Sequence, residues 1–309
     1  MKTLAGAAQV SGLKRKHREW LAAFLFLAPD SIGLTVFVAF PMVLALSMGF
    51  FRVSGFGDYE FVGLENYRRI FGDEYFLNSV RITATYTVVL VPIIYLTSLG
   101  LALLLQQKLP HRGMLRSLFF LPHVVSVIVV GTVWQYMLTS KVGAINKLLS
   151  FVGLPGHAWL GDPAYALGVI IVVSVWFEMG FYMIILLAGL QEIPSDYYEA
   201  AKIDGASYWQ MFRWITLPLL KPTSFFVLLV SVVGAVAGGQ GIDLIIAMTK
   251  GGPARSTALG TYYVYQQAFE QRARDHSYAA AVASFLVLGM LALTGILFLL
   301  SRGGRFESL

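Results

Sequence analysis

The sequence predicts an all-α polytopic membrane protein with six transmembrane helices, and three observations lead there. Of 309 residues, 57% are hydrophobic and only 13% charged, whereas a soluble globular chain carries about 25% charged residues. The mean hydropathy of +0.69 means more apolar surface than one buried core can hide, so the remainder faces lipid. Six windows, each longer than the roughly 20 residues that cross hydrocarbon, contain no Lys or Arg. The same composition removes other classes. With no Cys, disulfide frameworks, thiolate metal sites and Cys nucleophiles are excluded. His17, His111, His123, His157 and His276 have no metal-ligand spacing. The net charge of +6 comes from short basic clusters beside apolar runs, not from the continuous basic face that nucleic acid needs.

The windows run about 20–51, 82–106, 117–140, 164–190, 223–249 and 277–301. They divide the chain into a tail, 1–19, a transmembrane domain, 20–301, and a second tail, 302–309. Lys14, Arg15, Lys16 and Arg18 precede the first window in the manner of a signal peptide. That window is about 32 residues long, however, against about 7 to 15 for the apolar core of a signal, and no cleavage site closes it. It reads as an anchor that stays. Pro29 and Pro41 predict a kink within it. Orientation follows from the basic residues outside the spans. The two tails with loops 107–116 and 191–222 hold 13 Lys plus Arg, and segments 52–81, 141–163 and 250–276 hold 10. Segment 52–81 also carries Asp58, Glu60, Glu65, Asp73 and Glu74. Both termini are therefore expected in the cytoplasm. No internal repeat, low-complexity tract or soluble domain is evident, which leaves 191–222 as the largest surface for a cytoplasmic partner.

That loop reads Q-E-I-P-S-D-Y-Y-E-A-A-K-I-D-G-A-S-Y-W-Q-M-F-R-W-I-T-L-P-L-L-K-P. Ser195 is an expected N-cap after Pro194, and Asp196 suits the positive end of the helix dipole. Gly205 stops the helix in the left-handed conformation. Ser207 and Gln210 form an S-x-x-Q capping box that opens a second helix, which must end near Pro218. Ala200 and Ala201 leave one side small enough for close approach. Tyr197, Tyr198 and Ile203 supply apolar area. On pattern alone the pair is either a docking element or an interfacial helix anchored by Trp209 and Trp214.

The run E-A-A-x3-G-x9-I-x-L-P is present in full as Glu199, Ala200, Ala201, Gly205, Ile215, Leu217 and Pro218. It resembles the signature, often called the EAA motif, of permease subunits of binding-protein-dependent ABC importers. F-V-G-L-E-N-Y-R-R-I-F (Phe61 to Phe71), F-F-L-P-H-V-V-S (Phe119 to Ser126) and Q-G-I-D-L-I-I-A-M-T-K-G-G-P (Gln240 to Pro253) are similar to the sugar and glycerol-phosphate branch, specifically its maltose-type first permease subunit. The resemblance covers most of the chain from about residue 20. The maltose-type subunit itself has extra N-terminal helices and a large external domain that do not appear here, which bears on the cargo and not on the class. The resemblance implies the type I permease fold. It also implies a coupling helix seated in a groove of an ATPase subunit, a second permease subunit, two nucleotide-binding subunits and an extracytoplasmic solute-binding protein. No G-x-x-x-x-G-K-[ST] cradle for phosphates is present, so ATP and Mg are expected on the partner ATPase and no cofactor on this chain. The G-G-Q-G at 238–241 lies in an apolar span and reads as close helix packing through small residues.

Ionisable groups inside spans are costly and point to function. There are three: Asp30, Glu178 and Asp243. Asp30, after Pro29, reads as a capping or snorkelling group. Glu178, flanked by Trp176, Phe177 and Tyr182, reads either as a cavity residue or as one partner of a helix pair. Asp243 has Gln240 on the same face, and this pair also matches the Q-x-x-D of the family, for substrate contact or helix pairing. Aromatic rings beside carboxylates and amides suit a neutral polyhydroxylated ligand. A phosphate would want Arg or Lys, which no span supplies. Tyr262, Tyr263, Tyr265 and Phe269 read as an aromatic belt, with the lining of an external mouth as the other reading. The expected function is transport of a sugar or polyol by alternating access, without covalent chemistry. A secondary transporter would require inverted repeats, and an intramembrane enzyme a convergent nucleophile or metal set.

Overall fold

The computed structural model describes residues 19–54, 58–107, 110–140, 142–270 and 275–302. The expected tails, apart from Glu19 and Arg302, and the basic run Lys14 to Arg18 lie outside the described residues. Four helices are long and apolar enough to cross a membrane: α1 (Glu19–Met48), α3 (Glu74–Gln106), α7 (Pro163–Gln191) and α13 (His276–Arg302). Two bent pairs raise the number to as many as six. One is α4 (Arg112–Val124) with α5 (Val127–Met137), bent by 92°, and the other α9 (Tyr208–Leu219) with α10 (Lys221–Val236), bent by 66°. Short elements join them: a hairpin of β1 (Phe51–Ser54) and β2 (Asp58–Phe61), α2 (Glu65–Phe71), α6 (Ala144–Phe151), α8 (Ser195–Ile203), α11 (Gly239–Met248) and α12 (Gly260–Tyr265). In the hairpin, Phe51 pairs with Phe61 and Ser54 with Asp58.

The third and fifth windows are not the continuous helices that hydropathy predicts. Pro122, which has no N–H to donate, sits in the last turn of α4, and Val125 takes extended dihedrals before α5 begins. In the fifth window α10 stops at Val236, Gly238 adopts φ +77°, and α11 starts afresh. Only glycine fits there, since a Cβ would also lie 2.1 Å from Thr261 Oγ1. The helix after the capping box ends near Pro218, as expected: a π-type stretch, Phe212–Thr216, leads into a last turn at Leu217–Leu219, and the break falls at Leu220.

The core is the α3–α7 pair. Tyr86, Leu90, Ile94, Ala102 and Leu105 of α3 are buried with Ile170, Phe177, Met183, Leu186 and Leu190 of α7. Polar groups cross the contact with their needs met: Tyr86 Oη and Ser174 Oγ lie 2.9 Å apart, and Ser98 Oγ donates to Met179 O at 3.0 Å. Small residues set the closest approaches. A Cβ at Gly180 would lie 2.0 Å from Phe119 O, and one at Gly189 2.4 Å from Thr223 Oγ1. The α5–α11 contact is built likewise, with Gly131 against Ala247, Leu244 and Met248. Helix α1 differs, because the most apolar window of α1 buries nothing within the chain.

Candidate functional site

Two regions hold the residues that the sequence singles out: a surface at the α8–α9 end, and the centre of the bundle. At the surface, Asp196 occupies the first turn of α8 and Lys202 the last. The N-terminal cap differs from expectation. Pro194 takes that position, and Ser195 is the first helical residue with no capping bond. The other end follows expectation in detail. Gly205 has φ +78°, Ala206 N bonds Ala201 O at 2.9 Å and Gly205 N bonds Lys202 O at 3.1 Å, which is the Schellman arrangement. Ser207 then caps α9 reciprocally, with Gln210 N donating to its Oγ at 3.3 Å and its N–H donating to Gln210 Oε1 at 2.7 Å. Tyr198 Oη and Thr216 Oγ1, 2.9 Å apart, tie the two helices together.

Ala201, Gly205 and Ile215 line a depression of about 330 Å³ together with Asp204, Gln210 and Trp214. Glu199 and Ala200 lie outside it, exposed, and Glu199 has no hydrogen bond or ion pair among the described residues. Leu217 and Pro218 are half-buried where α9 turns toward the bundle. Around them Ile203, Tyr208 and Trp214 are 87%, 86% and 71% exposed. A capped pair of short helices thus presents apolar area that none of the described residues covers.

At the centre, Glu178 is largely enclosed by the fold. It accepts no hydrogen bond and pairs with no cation among the described residues. Tyr86 and Tyr182 lie within its electrostatic reach. The glycines of the broken fifth span face the same two rings: a Cβ at Gly241 would lie 3.1 Å from Tyr86 Oη, and one at Gly234 4.0 Å from Tyr182 Oη. Gln240 and Asp243, both half-buried, occupy the first turns of α11 just after the break, and Gln240 Oε1 is buried without a partner. Tyr182 is thereby brought to the glycine face of the fifth span, and Glu178 lies within electrostatic reach of it. Asp30 is not: it is exposed on α1. Sequence reasoning missed Tyr86 and Ser174, which no motif marks.

It also misread the aromatic run. Tyr262 and Tyr263 are 1% and 2% exposed, so they form neither belt nor mouth, whereas Phe269 is 62% exposed. Tyr263 Oη donates to Asp73, the N-cap of α3, and Tyr278 Oη donates to the same carboxylate at 2.6 Å. Tyr75 N and Phe76 N add bonds of 3.0 and 3.2 Å, and Gln267 Nε2 donates to Tyr263 Oη at 2.6 Å. Arg69 lies over the Tyr278 ring at 4.0 Å and pairs with Asp275 at 2.7 Å. Burial alone would raise the Asp73 carboxyl, but these donors outweigh it and hold the group below the usual carboxylate value.

Four helices, or up to six spans with the bent pairs, are long and apolar enough to cross a membrane, and an exposed helix–glycine–helix element stands beside them. Residues 94–305 match the family described as binding-protein-dependent transport system inner membrane component, and the chain belongs to that family. The trehalose/maltose transport system permease protein MalF of Thermococcus litoralis is 36% identical over 79% of this chain and 82% of its own. The sn-glycerol-3-phosphate transport system permease protein UgpA of Agrobacterium fabrum is 34% identical over 89% of this chain and 92% of its own. Among solved structures, a chain of a bacterial alginate ABC transporter, in complex with an alginate pentasaccharide-bound periplasmic protein, superposes with TM-score 0.82. It is 25% identical, over 96% of this chain and 99% of that one.

Proposed function

We propose that the chain is one of two permease subunits of an ATP-driven importer that moves a sugar or related polyol into the cytoplasm by alternating access. Its partners are a second permease subunit, two ATPase subunits that carry ATP and Mg, and an extracytoplasmic solute-binding protein. It sits in the cytoplasmic membrane with both termini inside. The observation that carries this reading is the α8–α9 element: Glu199, Ala200, Ala201, Gly205, Ile215, Leu217 and Pro218 fall on a capped, exposed helix pair. The two short helices are fixed to each other by the Gly205 turn and the Tyr198–Thr216 bond, so force applied to α8 passes through α9 into α10. Glu199, exposed and unengaged, is available to a basic group on the ATPase.

Cavity contact falls to Glu178, Tyr182, Gln240 and Asp243, where hydroxyl, amide and carboxyl groups suit polyhydroxylated cargo. Glycerol-phosphate ester import is the second reading, favoured by the similarity to UgpA. The test is the assembled complex in vesicles. Glu199→Lys or Gly205→Val should detach the ATPase or uncouple hydrolysis from uptake while the spans still insert. Normal assembly and uptake in both variants would return α8–α9 to the role of an interfacial helix.

A further inference from the structure

The ends of α5 and α7 that α6 joins enclose a groove of about 420 Å³, lined by Trp134, Ile145, Trp159, Tyr165, Gly168 and Val172 among others. A Cβ added to Gly168 meets nothing within 4 Å, so the missing side chain helps to keep the groove open. The indole N–H of Trp159 is spent on Asn146 Oδ1 at 2.8 Å, and that ring offers the groove carbon rather than a donor. A polyhydroxylated solute finds few partners there, whereas hydrocarbon suits it: an apolar cavity of about 150 Å³ takes up a benzene, and this one admits something longer. Its helical lining falls in the third and fourth apolar windows, at their ends, where Trp and Tyr favour the boundary between bilayer and water. Val172 and Tyr165 are themselves exposed, so the groove opens on the outer surface of the spans. Beside it, α6 and the turn that follows expose Leu148, Phe151 and Val152, as a helix resting in the interface does. The border is also basic. From Gly131 to Gly161 the chain has Lys141 and Lys147 but no Asp or Glu. Lys147 is exposed and has no ion pair among the described residues. The His157 ring packs on Trp159 at 5.2 Å and on Tyr165 at 5.4 Å, and makes no side-chain hydrogen bond among the described residues.

We infer that this groove is a lipid site: one acyl chain of an anionic phospholipid lies in it, and the phosphate faces Lys147 and His157. The inference goes beyond the importer reading. It rests on the membrane spans alone and holds for any cargo. Two observations favour lipid over a neighbouring protein. The groove is continuous with the exposed apolar surface of the spans, which a bilayer covers without a further chain, and its border has the charge that complements an anionic headgroup. Each Lys or Arg near a membrane surface favours anionic lipid about fivefold.

The complete complex, purified into phosphatidylcholine bilayer discs, is irradiated with phosphatidylglycerol or phosphatidylcholine that carries a photoreactive group on one acyl chain, and labelled peptides are identified by mass spectrometry. Wild type should be labelled within 134–173, about fivefold more by the phosphatidylglycerol probe than by the phosphatidylcholine one. Gly168→Phe, whose ring enters open space, should cut that labelling severalfold and leave labelling elsewhere in the chain unchanged. Val172→Trp narrows the mouth from an exposed position and should do the same, which keeps the test decisive if the first variant fails to assemble. Lys147→Glu combined with His157→Gln should remove the preference between the two lipids while the groove is still labelled. Absence of labelling within 134–173 in wild type, or labelling unmoved by the filling variants, would overturn the inference. Equal labelling by the two lipids in wild type would overturn it as well, and a cross-link from the groove to the second permease subunit in place of lipid would reassign the surface to protein.

Discussion

The Asp73 corner and the Glu178 centre both set a partly buried carboxyl group among tyrosines, and they differ in what that group is bonded to. Asp73 receives two tyrosine hydroxyls and two backbone N–H groups, and the Tyr263 hydroxyl that it holds is itself held by Gln267. Among the described residues Glu178 receives nothing, although Tyr86 lies near, and the Tyr86 hydroxyl is joined to Ser174. A saturated carboxylate fixes structure: Asp73 locks α3, α12 and α13 into one corner. The contrast predicts that the first residue matters to stability and the second to transport.

The largest expected effect on stability is at the saturated site. Asp73→Ala strands two buried tyrosine hydroxyls and uncaps α3, and should cost about 3 kcal/mol, read as a lower unfolding temperature of the purified complex. The pH dependence follows from the same bonds. The folded Asp73 value lies below the unfolded 3.8, so its stabilisation is complete above about pH 4 and drains as pH falls through the folded value. Thermal scans from pH 7 to 3 should show that acid loss in wild type and a smaller one in Asp73→Asn. Next, Gly205→Val forces a β-branched residue into φ +78° and should cost about 1 to 2 kcal/mol locally. A Cβ there meets nothing within 4 Å, so the damage is to backbone direction and shows in ATPase coupling. Ser207→Ala removes half of the capping box, about 1 kcal/mol, visible as faster amide exchange in the first turn of α9. Smallest of all, Glu178→Gln breaks no bond and should move stability by under about 1 kcal/mol while lowering transport. A melting change there as large as at Asp73 would erase the contrast.

What the sequence made legible was local. Ser207 and Gln210 announce their capping box by spacing, Gly205 its turn, and the Lys/Arg-free windows their helices, because each depends on neighbours within a turn or on phase preference alone. Continuity was not legible. A hydropathy window cannot tell a helix from two half-helices meeting at Gly238, since both bury the same side chains. Nor does any local rule join Asp73 to Tyr263, 190 positions away. The same distance hid the Tyr86–Ser174 bond, while Glu178 and Asp243 stood out because a charged group in an apolar run is conspicuous wherever its neighbours lie.

The two interrupted spans share one more property. Helix α5 hangs from the break at Val125 and α11 from the break at Gly238, and the two are clasped: Gly131 admits Ala247, and Gln135 Nε2 donates to Met248 O at 3.3 Å. In mechanical terms, two hinges that carry a single plate leave one degree of freedom. Neither half-helix can swing without the other, and a side chain at Gly131, where a Cβ would lie 2.6 Å from that of Ala247, would split the plate while leaving both hinges intact.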